Sequence, residues 1–114
     1  MKLTKETKSR LIKAMDKEAR YHVNEAKRLL LLGSEIGDFR ESGSASGYQE
    51  ARRYLESVRY ATTRTLDILM DKARQHIDYS MTDEDEESKA FNIAKAFALK
   101  DAVTMLEKEM MNHG

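Results

Sequence analysis

Ile12, Met15, Ala19, His22, Ala26, Leu29, Gly33 and Ile36 follow one another at alternating intervals of three and four. That series is the seam of an amphipathic helix, and it restricts the fold class more than any other feature of the chain. Two further segments behave alike. Leu55, Val58, Thr62, Leu66, Leu69, Ala73 and Ile77 form a second stripe, and no glycine or proline interrupts it before Ser80. Ten of the fourteen residues from Ala90 to Val103 are apolar, more than one packed face requires. Nothing alternates with the two-residue period of a strand, and no proline occurs in 114 residues.

Capping chemistry sets the expected boundaries. Thr4 suits an N-cap, so a first helix is predicted over residues 4–38, weakening at Gly33 and ending before Arg40. The run from Glu41 to Tyr48 holds three serines and two glycines and reads as a loop over 40–47. Ser46 with Gln49 has the spacing of a capping box, opening a second helix over 47–80. Thr82 ahead of the acidic run Asp83 to Glu87 opens a third over 83–112, because acidic side chains favour the positive end of a helix. Four consecutive leucines, Leu29 to Leu32, cannot share one seam, so Leu32 is expected to point away from it. The expected architecture is all-α: one domain over 1–114, an elongated antiparallel three-helix bundle running up, down and up. Its apolar third helix is available for pairing with a second copy. The proportions resemble those of spectrin-type three-helix repeats, in architecture alone.

Twenty Lys and Arg balance twenty Asp and Glu, so total charge points neither to non-specific nucleic-acid binding nor to an acidic nucleic-acid mimic. The charges are nevertheless segregated. Residues 1–20 hold seven basic and three acidic side chains, and residues 81–114 hold four and eight. In an up-down-up bundle the basic start of the first helix would lie beside the acidic start of the third and neutralise it. Within the first helix, Glu6 with Arg10 and Asp16 with Arg20 have the spacing of stabilising pairs.

Chemistry finds little foothold. No cysteine is present, which removes disulfides, thiolate metal sites and thiol nucleophiles. No phosphate loop, serine elbow or histidine–carboxylate signature appears, so enzymatic activity and cofactors are not expected. His22 with Glu18 and Glu25 could touch one ion, but the order of residues differs from that of helical-bundle metal sites, and His22 is expected to be structural. His76 and His113 carry no spacing signal. No apolar run approaches a membrane span and no secretion signal is visible, so a cytoplasmic location is expected.

What remains is surface. Arg53, Tyr60 and Arg64 fall on the flank opposite the second stripe, and tyrosine and arginine are the residue types favoured at binding hot spots. With Leu32 as a secondary contact they form the expected partner surface. The favoured function is a small non-enzymatic protein-binding module: an adaptor, inhibitor or regulator of the kind that bacterial and phage accessory genes encode, with a homodimer favoured over a monomer. One alternative is a small-anion or nucleotide binder using Arg40, Ser44, Ser46, Gly47 and Arg52 of the Ser/Gly run. A second is a nucleic-acid-associated regulator acting through Lys2 to Arg20, which requires those charges to be free of residues 83–87.

Overall fold

Thr4 caps the first helix as its position predicts, accepting the Thr7 N–H on Oγ1 at 3.1 Å. A computed structural model describes residues 1–112, leaving His113 outside the described residues. It shows four helices: α1 (Lys5–Leu31), α2 (Glu35–Ser57), α3 (Thr63–Thr82) and α4 (Glu86–Asn112). The all-α class stands. The three-helix, up-down-up count does not, for two local reasons.

The first concerns the Ser/Gly run. It is no loop: residues 40–47 lie within α2, and the turn falls earlier, at Gly33, whose φ of 84° is the left-handed conformation glycine adopts freely. Ser34 caps α2 through its Oγ, which accepts from the Gly37 N–H at 3.2 Å, so the capping box expected at Ser46 does not form. The run is helical because its small residues face α4. A Cβ on Gly43 would stand 2.2 Å from the Phe91 carbonyl oxygen, and one on Gly47 would stand 2.6 Å from both Ala98 Cβ and the Lys95 carbonyl oxygen. Only glycine lets the two backbones come this close.

The second concerns the middle of the expected second helix, which breaks at Val58 to Thr62 without glycine or proline. The amino-terminal residues take over the backbone bonding there. Leu3 N–H donates to Arg59 O at 2.8 Å, Ala61 N–H to Met1 O at 2.7 Å, and the Met1 ammonium to Ala61 O at 2.9 Å. Thr62 and Thr65 then form a reciprocal capping box that starts α3. β-Branched Val58, Thr62, Thr63 and Thr65 have low helix propensity, so the interruption is cheap.

The extra break reverses every later element. α1 runs antiparallel to α2 and α3 antiparallel to α4, while α2 and α4 run parallel through Gly43, Gly47, Phe91 and Ala98. The body measures 46 × 28 × 20 Å. At one pole the start of α1, the end of α2, the start of α3 and the end of α4 close around Leu11, Met15, Leu55, Leu69, Leu99 and Leu106, with Leu3 and Ala61 as a plug. At the other pole α1 and α4 separate, and the exposed apolar side chains Leu31, Leu32, Ile36, Ile93 and Phe97 gather in that half.

Reversal of α4 also overturns the expected charge neutralisation. The basic start of α1 and the acidic start of α4 occupy opposite poles. Residues of the closed pole (1–10, 52–67 and 104–112) contain nine Lys or Arg against five Asp or Glu, and those of the open pole (25–41 and 75–92) four against ten. The two expected pairs within α1 are replaced by links between helices: Arg10 reaches Glu109 of α4 at 3.0 Å, and Asp16 reaches Arg52 of α2 at 3.3 Å.

Candidate functional site

The most distinctive concave feature grows from the glycine contact. Because Gly43 and Gly47 hold α2 and α4 so close, side chains on either flank must splay apart, leaving a channel on each side. The channel facing α1 is a groove of about 400 Å³, with Arg40, Glu41 and Ser44 on the α2 wall and Ala90, Ile93, Ala94 and Phe97 on the α4 wall. Its surface is mainly hydrocarbon. Phe97 is 59% exposed, with the Lys100 ammonium 5.7 Å from its ring centre. Arg40 stands at the rim with no ion-pair partner among the described residues.

A polar chain supports the groove from below and links three helices. The His22 ring nitrogen of α1 meets the Glu41 carboxylate. The ring of buried Tyr48 lies nearly parallel to His22, centroids 5.9 Å apart, and its hydroxyl donates to Asp101 of α4 at 2.5 Å. Burial, and then the hydrogen bond to Asp101, push that hydroxyl far above the ordinary tyrosine range, so it remains a neutral donor. His22 is therefore a packing and pairing residue. No group of three metal-ligating side chains converges among the described residues.

On the other flank Glu50 of α2 meets Lys95 of α4 at 3.1 Å, Lys72 of α3 at 3.4 Å and the His76 ring at 3.8 Å. His76 continues to Asn92 at 2.9 Å, and Asn92 donates to Asp83 at 3.3 Å. Burial would raise the Glu50 carboxyl, but Lys95 and Lys72 outweigh it and hold the group below the usual range. These bonds tie α3 to α2.

The predicted site residues divide among these regions. Arg53, Tyr60 and Arg64 are all exposed at the closed pole, Tyr60 at 58%. Tyr60 sits in the connection before α3, bridged to Lys2 through the backbone, and not one helical turn from Arg64. Leu32 is 70% exposed but belongs to the opposite pole, so it does not join them. The anion reading loses its basis. Ser44, Ser46 and Gly47 lie inside α2, where their amides serve the helix ladder, and Arg52 is paired with Asp16 and Glu56. Arg40 and Ser44 reach the groove between α2 and α4, whereas Arg52 lines a separate cleft with Asp16, Ala19 and Gln49. Ile93 and Phe97, which line the groove, were visible in the sequence as excess apolar surface on the last helix, but their partner wall was hidden by reading residues 40–47 as a loop.

No family model, curated protein or solved structure matches the chain. The geometry alone defines its class, a four-helix all-α body with one closed and one open pole. No helix among the described residues is long and apolar enough to cross a membrane.

Proposed function

We propose that the chain is a non-enzymatic protein-binding module, an adaptor or regulator whose docking surface is the groove between α2 and α4. The observation that carries the reading is the apolar pair Ile93 and Phe97, exposed on the wall of a concave channel. An aromatic ring next to a channel, with an arginine at the rim, matches the make-up of binding hot spots. The contribution of Phe97 to the monomer's stability is small, because most of its surface remains in water.

Affinity capture tests the reading with three forms: wild type, Ile93→Glu with Phe97→Glu, and Tyr60→Ala with Arg64→Ala. The expected outcome is a retained protein lost with the first pair and kept with the second. Retention indifferent to both pairs removes the proposal. The second pair covers the pole surface of Arg53, Tyr60 and Arg64, where loss would transfer the docking role.

One observation favours a second reading, nucleic-acid association. The basic start of α1 is separated from residues 83–87, so Lys2 and Lys5 stand with Arg53, Arg59 and Arg64 at one pole. Retention on duplex DNA or RNA that weakens steeply with salt would support it. Retention absent even at low salt would dismiss it.

A further inference from the structure

We infer that the groove receives a second copy of this chain, paired antiparallel along α4. The inference deepens the docking reading above and rests on it. Outward from the body, α4 carries Glu86, Ala90, Ile93, Phe97, Lys100 and Thr104 at alternating intervals of four and three, and all but half-buried Ala90 are exposed. That is a heptad seam with an apolar centre and no partner in the monomer. A two-fold axis crossing α4 midway between Ile93 and Phe97 sets each Ile93 against Phe97 of the second copy. The same axis sets Ala90 opposite Lys100.

Charge chooses both the occupant and the direction. In this register Lys100 of one copy comes within one helical turn of Glu86 on the other; symmetry repeats the contact, as a two-fold interface requires. The poles agree with the seam. A basic pole and an acidic pole on one rod attract their opposites when two rods lie antiparallel, whereas a parallel pair would set like against like. The formal net charge of zero leaves no overall repulsion between copies. Ala90 and Ala94 keep the α4 wall low, so that the Phe97 ring of the second copy can enter beside Ser44 and Arg40. The two Tyr60 surfaces then point outward from opposite ends of the pair.

Light scattering and sedimentation velocity over roughly 1 to 100 µM test the pairing. Wild type is expected to be dimeric at the upper end. Phe97→Glu should weaken association by roughly 30-fold or more, the scale of a hot-spot loss, with unchanged helicity because its ring is exposed in the monomer. Lys100→Glu should weaken it less, and Tyr60→Ala not at all. The cysteine-free chain permits a register test: Ala90→Cys with Lys100→Cys should form 90-to-100 disulfides between copies under mild oxidation. A wild type that stays monomeric, a dimer untouched by Phe97→Glu, or cross-links joining 90 to 90 would each overturn the inference. Monomeric wild type whose captured partner still depends on Ile93 and Phe97 would refute self-pairing while the docking reading stands.

Discussion

The two poles of this rod are built from the same four helices by different means. At the closed pole, large side chains fill the space between helices: Met15, Leu55, Leu69, Leu99 and Leu106 are fully buried, and the amino-terminal residues bond across the α2–α3 break. Between there and the open pole, glycine removes the space instead. Gly43 and Gly47 bring α2 and α4 into backbone contact, and the side chains thrust aside become exposed. Filling gives stability, since burial of a large aliphatic side chain contributes about 1.5–3 kcal/mol. Close approach gives shape: a narrow waist, a groove and an apolar rim.

Truncation should therefore weigh very differently at the two poles. Leu55→Ala or Leu106→Ala leaves a cavity in a closed core and should cost about 2–5 kcal/mol in urea unfolding. Leu32→Ala, at a side chain 70% exposed, should change stability by no more than about 0.5 kcal/mol. Equal losses would mean that the open pole is closed in solution.

Gly43→Ala probes the waist next. In an unconstrained helix the change would stabilise by about 1 kcal/mol through helix propensity. Here the new methyl meets a backbone carbonyl that cannot turn aside, so α4 must shift. Overpacking of this kind costs about 1–3 kcal/mol, and the sign is expected to reverse to a net loss in thermal melts. A stabilised Gly43→Ala protein would refute the close contact of α2 with α4. At the α2–α3 break, Thr62→Ala removes a reciprocal cap and should cost about 1 kcal/mol.

These positions also explain which features could be read from the chain. The seams of α1 and α3 were readable in their middles, where Met15, Ala19, Leu69 and Ala73 are buried as spaced; Ile36 and Thr62 of the same series are exposed because the chain turns at Gly33 and breaks at Val58 to Thr62. Thr4 was readable because a cap is local. The Ser/Gly run misled because local propensity and tertiary need oppose each other there: the glycines that favour a loop in isolation permit the tightest contact in the body. The break at Val58 to Thr62 was hidden because the residues completing its hydrogen bonds, Met1 and Leu3, lie nearly sixty positions away. Ile93 and Phe97 were readable as surplus hydrocarbon, but the groove beside them depends on the direction of α4, which one missed break inverts.

Acid titration separates two carboxyls with opposite signs. Glu50 is held below its usual range by Lys95 and Lys72, so its contribution is complete above that range and is lost as pH falls through the folded value. Glu50→Gln should lower stability at neutral pH and leave less to lose on acidification.

Glu87 behaves in reverse and has the smaller effect. The α2 and α4 amino termini lie side by side at the open pole, and both recruit acidic side chains to their positive ends. Glu35 then stands next to Glu87, with Asp85 and Asp38 near. The hydrogen bond that protonated Glu87 donates to Glu35, then burial, then the repulsion among these carboxylates raise Glu87 above its usual value of 4.5. Its favourable contribution is present below the unfolded value and is lost as pH rises through the folded one, so at neutral pH the ionised group opposes folding. Glu87→Gln keeps an N–H donor for Glu35 without the charge. Melting temperature should rise slightly at neutral pH, and the gain should vanish near pH 4, roughly the intrinsic carboxylate range. A neutral-pH loss instead would mean that the α2 and α4 termini need the extra charge at Glu87 more than they suffer from its crowding.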